Sequence, residues 1–178
     1  MEELDAACLE AFPSWLRNLN ADARVLAQLV EEERGAEDAR RHLAGALNYL
    51  FKSLDLIPDG IEDLGFIDDA FVFRAAAALA VDADATLAAG DLERLAKDDA
   101  LMKDFLGQDY DRLQGYVRGL DQVNARGRTA HDVLGDPGAR ADLAREVRAW
   151  ADAYEAPSFN RDVKTLVKLK AFLTAKLP

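Results

Sequence analysis

Residues 70–81 read AFVFRAAAALAV, and this run limits the fold more than any other part of the chain. It is rich in helix formers and apolar on every side, so as a helix it has no face fit for water. It is also shorter than the roughly 20 apolar residues of a membrane span, and Arg74 interrupts it. What remains is a central apolar helix with other helices packed around it.

The rest of the chain can supply those helices. Alternating runs of Val, Ile and Thr are absent, while Gly and Pro fall at a few separated points, which predicts an all-α, compact multi-helix bundle. With 178 residues, half of them hydrophobic, a single helical domain over residues 1–178 is expected. Helices are predicted at 2–12 and 14–19 around Pro13, at 20–34 behind an Asn20 cap, at 36–51, at 68–81, at 91–97, at 99–105 and at 109–125. Residues 124–128 read as a linker. Thr129 with Asp132 resembles a capping box, and Asp136 followed by Pro137 is a strong start signal for a helix to about residue 154. A last helix, capped by Asn160, would turn Val163, Leu166, Val167 and Phe172 inward.

Between the fourth and fifth of these helices lies NYLFKSLDLIPDGIEDLGFIDDA, residues 48–70, with six acids and a proline among apolar residues. Pro58 has no backbone donor and biases Ile57 away from the helical region, so the chain must reverse in a helical hairpin around D-L-I-P-D. Turn and capping chemistry account for Asp55, Asp68 and Asp69, and Gly60 and Gly65 permit backbone that other residues resist. Leu54, Leu56, Ile57, Ile61, Leu64, Phe66 and Ile67 would anchor the turn in the core. The alternative is that Asp55, Asp59, Asp68 and Asp69 converge on a divalent cation, because clustered carboxylates repel unless a metal, a proton or an arginine compensates. Their spacing matches no EF-hand loop. Arg74 offers a cheaper compensator, and a buried bridge from it to one of these aspartates is expected.

The stretch ALNYLFKSLDLIPDGIEDLGFIDDAFVFRAA also resembles the core motif of the YkvA-like family, a small bacterial domain of unknown function. Its pattern is an aromatic-containing helix end, D-x-I-P-D, a short apolar stretch, G-x-x-D-D and an apolar helix. Asp55, Pro58, Asp59, Gly65, Asp68 and Asp69 all fall in place, over about residues 46–77 within a core of about 36–82. The resemblance implies a helical hairpin and a shared structural or binding role for those aspartates, and it brings no reaction. Many members run more apolar after the motif, in keeping with a place in or on membranes; Arg74 and the alanines depart from that.

Charge and residue inventory narrow the function classes. A net charge of -11 and a pI near 4.6 argue against nucleic acid as a partner, since phosphate attraction needs a basic face. Cys8 is the only cysteine, and the opening MEELDAACLE is acidic where a signal peptide is basic and then apolar, so a cytoplasmic place is expected. His42 and His131 are too few for a zinc site, and the pair Asp38 and His42 reads as a surface pair. No nucleophile triad or glycine-rich phosphate loop stands out, and Tyr49 reads as core.

The last segment differs from the rest. In residues 158–178, Arg161, Lys164, Lys168, Lys170 and Lys176 face only Asp162, giving +4 and leaving -15 on the remainder of the chain. This basic helix could answer the acidic body, an anionic membrane surface, or an acidic partner such as a second copy. The leading expectation is a non-enzymatic protein-interaction module with a structural acidic turn and no cofactor. The alternatives are a divalent-metal-binding protein or metal-dependent enzyme built on the aspartates, and a peripheral membrane protein.

Overall fold

The computed structural model describes residues 2–52, 55–58, 60–61 and 63–178. The helices are α1 (Glu3–Arg17), α2 (Leu19–Glu31), α3 (Glu37–Tyr49), α4 (Ile67–Ala83), α5 (Gly90–Leu106), α6 (Tyr110–Arg118), α7 (Ala130–Gly135), α8 (Pro137–Ala153) and α9 (Val163–Lys176). Apart from one isolated bridge between Ala125 and Arg128, the described residues hold no β-structure, and the fold is an all-α bundle.

α4 is the central helix that its composition demands. Thirteen of its 17 residues are buried. α3 and α5 flank it, and α1, α2 and α6 also touch it. An aromatic cluster knits three of these helices: Phe12 lies 5.1 Å from Phe71 and 5.2 Å from Phe105 between ring centroids, and Trp15 stands beside them. None of the described helices is long and apolar enough to cross a membrane.

Several boundaries differ from expectation, and each has a tertiary cause. α1 runs through Pro13, although an interior proline forfeits a hydrogen bond and costs roughly 3 kcal/mol. Burying Phe12, Trp15 and Leu16 on the same helix, at roughly 1.5–3 kcal/mol each, outweighs that. α5 likewise continues through Asp98 and Asp99, because Asp in a helix interior costs only about 0.7 kcal/mol and both side chains find partners on other helices or turns. Residues 124–128 form a tight turn, not a loose linker: Arg126 and Gly127 take φ 51° and 81°, and Ala125 pairs with Arg128. Asn48 of α3 donates to the Arg128 carbonyl at 2.9 Å and ties this turn to the hairpin.

The capping signals near the C-terminal half are well placed. Thr129 and Asp132 form a reciprocal capping box, and Asp136 accepts from the Gly138 amide ahead of α8. For α9 the cap is Asp162, not Asn160, with its carboxylate on the Lys164 amide. Leu166, Leu169 and Leu173 form the buried stripe of α9, at three- and four-residue steps. Val167, expected inside, lies a quarter-turn off that stripe and is 63% exposed.

Candidate functional site

The acidic turn closes between α3 and α4. Ile57 and Leu64 are buried, as are Leu56 and Ile67, while Ile61 and Phe66 are partly covered; Leu54 lies outside the described residues. Pro58 is exposed and its carbonyl accepts from the Ile61 amide at 3.0 Å; the buried Gly65 donates to the Ile61 carbonyl at 3.1 Å. The left-handed backbone falls on Asp63 (φ 68°) and on Phe66 (φ 65°). A bulky residue in that region is strained by about 1–2 kcal/mol. The Phe66 ring is held by Tyr154 at 5.4 Å and Trp150 at 6.2 Å, so contacts with the end of α8 offset the strain.

Because Phe66 opens α4 in that conformation, Asp68 does not cap its own helix. Its fully buried carboxylate instead reaches back across the hairpin, accepting from the Tyr49 hydroxyl at 2.5 Å and, more weakly, from the Ile57 amide at 3.4 Å. The same Tyr49 oxygen accepts from the Leu56 amide at 2.8 Å. One phenol thus joins the end of α3, the turn and the start of α4. Burial first, and then the charges of Asp68 and Asp69, push the Tyr49 pKa far up, so it stays a donor.

Lys52 is the cation of this cluster. It is the only Lys or Arg in residues 48–70, and that uniqueness was the available sequence signal. Its ammonium lies 2.6 Å from the Tyr116 hydroxyl and 5.1 Å from that ring's centroid. Burial lowers its pKa, while Asp55 and Asp68 pull it back up. Tyr116 is pushed up to about 12 by burial and then by Asp55, Asp68 and Asp69, so the structure brings those three carboxylates into one electrostatic neighbourhood. Asp59 lies outside the described residues. Among the described residues, no three His, Cys, Asp or Glu side chains form a group suited to hold a metal ion.

Arg74 was expected to bridge to one of the turn aspartates; the ion pairs it makes among the described residues are with acids of other helices. It stands five and six positions after Asp69 and Asp68, which rotates it about 120–140° around α4 from either of them. Fully buried, it donates to Asp22 of α2 at 3.3 Å, to Asp98 of α5 at 3.1 Å and to the Ala70 carbonyl at 3.1 Å. Its guanidinium lies 4.2 Å from the Trp15 ring centroid. Arg94 adds a 2.8 Å bond to the other oxygen of Asp22. Burial lowers the Arg74 pKa, and Asp22 and Asp98 oppose that fall. The network forms part of the wall of a cleft of about 730 Å³, open to solvent between α1, α2 and α5.

These two charged regions separate when the chain is compared with known proteins. Residues 39–74 match the family model described as a protein of unknown function, DUF1232. No curated protein and no solved structure matches the chain. The DUF1232 segment is of the same kind as the YkvA-like resemblance and spans α3, the turn and the first part of α4. It contains Tyr49, Lys52, Asp68 and Arg74, but the acids that pair with Arg74 lie outside it.

His42 is partly buried, its pKa lowered by burial and then by Arg118, and Asp38 pairs with Arg41 at 2.9 Å, so the expected surface pair does not form as such. His131 is exposed. Burial, followed by Asp5 and Asp104, pushes the Cys8 thiol up to about 11, which suits a core residue better than a nucleophile. Arg161, Lys164, Lys168, Lys170 and Lys176 are all exposed on or just ahead of α9.

Proposed function

We propose that the chain is a non-enzymatic helical module that binds a protein partner, with the acidic turn acting as a structural clasp. The observation that carries the first half is the Asp68 carboxylate, buried and engaged by Tyr49 and the Ile57 amide across the hairpin. A carboxylate used this way stabilises the turn and presents little to a substrate. The binding half rests on α9, where Val167 is 63% exposed, the one large hydrophobic so exposed among the described residues, between Lys164 and Lys168. An apolar side chain with Lys164, Lys168 and Lys170 on the same helix, and with Glu2, Asp5 and Asp104 lining the pocket beside it, suits a partner with a small apolar contact and charges of both signs.

Two measurements test the halves. Thermal unfolding is followed with chelator, then with magnesium, manganese or calcium. The clasp predicts an unchanged midpoint; a rise of roughly 5–10 °C that Asp69→Asn abolishes while still folded would establish a metal site instead. For the binding half, a photo-crosslinking residue at position 167 is expected to yield discrete protein adducts that Lys164→Glu/Lys168→Glu removes. Salt-sensitive sedimentation with anionic vesicles and no protein adduct would replace the partner with a membrane surface.

A further inference from the structure

The cleft beside Arg74 is lined by four arginines, Arg17, Arg74, Arg94 and Arg161, and by four acids, Glu10, Asp22, Asp91 and Asp98. Asp22 and Asp98 answer Arg74, and Asp22 and Asp91 answer Arg94, so those charges close on one another. Arg17, at the end of α1, and Arg161, just ahead of α9, line the same cleft from opposite ends of the sequence. Among the described residues neither takes part in an ion pair. Most other arginines do: Arg24 meets Asp152, Arg112 meets Asp109 and Arg148 meets Glu31. In a chain of net charge -11, a concavity with as many arginines as acids, two of those arginines outside any ion pair among the described residues, departs from the balance of the whole chain.

The cleft is large enough for a small ligand. A volume of about 730 Å³ falls within the roughly 300–1,000 Å³ typical of small-molecule clefts. Ser14 and Asn18 add neutral hydrogen-bonding groups. The buried Arg74 network keeps that wall rigid, since Arg74 is held by three oxygens and stacked on Trp15. Glu10 on the rim is the one acid there with no arginine assigned to it among the described ion pairs.

We propose that this cleft binds a small organic oxyanion, a carboxylate or a phosphate ester, gripped by Arg17 and Arg161 with Arg94 alongside. Guanidinium forks match both groups in a two-point geometry that lysine does not offer. The site is independent of the α9 surface that centres on Val167.

Isothermal titration of the full chain with malonate, phenyl phosphate and inorganic phosphate tests it, beside Arg17→Ala/Arg161→Ala and the control Arg145→Ala. Both cleft arginines are exposed, so thermal unfolding should find the double variant folded. At least one probe is expected to bind with Kd below about 1 mM. The double variant should weaken it at least about tenfold, or 1.4 kcal/mol, while the control leaves it unchanged. Phenyl phosphate binding above inorganic phosphate assigns the ester; malonate alone assigns the carboxylate. No binding by any probe at about 10 mM, or equal binding by the double variant, overturns the proposal.

Discussion

The turn cluster and the Arg74 cluster both bury charge against α4, yet they are built on different scales. Tyr49 and Asp68 are 19 residues apart and meet across a single hairpin. Arg74 and Asp22 are 52 apart, Arg94 and Asp22 are 72 apart, and four helices must be in place before the network is complete. The first cluster can form as soon as α3 meets α4, with a short loop to close; the second reports on the whole bundle. Their chemistry differs too. In the turn the Asp68 carboxylate accepts from a neutral phenol and a backbone amide, whereas the Arg74 network sets charge against charge.

The sharpest way to break that contrast is Arg74→Met. It leaves Asp22, fully buried, with only Arg94, and losing one member of a buried pair costs about 3–5 kcal/mol. Urea unfolding should show this as a large drop in midpoint. Asp22→Leu/Arg74→Met should recover part of the loss, because an apolar replacement removes the stranded charge. Recovery would mark the network as a stability burden held for the cleft.

The turn should respond less. Tyr49→Phe removes one donor to Asp68 and one acceptor for Leu56, and a loss of about 1–3 kcal/mol is expected by the same measurement. An effect as large as that of Arg74→Met would mean that the local clasp, and not the network, governs the cooperativity of the bundle.

The smallest effect concerns alkaline pH. The unfolded chain gives up the Tyr116 proton near pH 10, while the folded chain holds it to about 12. Between those values the folded state binds more protons, so stability falls as pH rises. Tyr49, with its pKa raised in the same direction, adds to the fall; Lys52, with its pKa lowered, opposes it. Tyr116→Phe should therefore flatten the pH profile between 10 and 12, read from thermal midpoints across that range.

Much of the turn was legible in the sequence because its logic is local. Pro58 enforced a reversal, the apolar residues around it named the anchor, and Asp68 and Asp69 marked the start of α4. The direction of the Asp68 carboxylate was not legible. It depends on Phe66 adopting φ 65°, and that conformation is held by rings from α8, some 85 residues further on. Lys52 was visible as the lone cation of the stretch, but nothing short of the fold brings Tyr116 to it.

For this protein the sequence by itself determined that the chain is all helical, that residues 70–81 lie at the centre, and where the hairpin turns. Those properties follow from periodicity, from apolar composition and from the dihedral limits of proline, which act over a few residues. Only the tertiary structure decided that Arg74 belongs to Asp22 and Asp98, that α1 runs through Pro13, and that Arg17 and Arg161 share one cleft. Each depends on which helix faces are pressed together, and burial energies summed over distant segments settle that choice where local preference cannot.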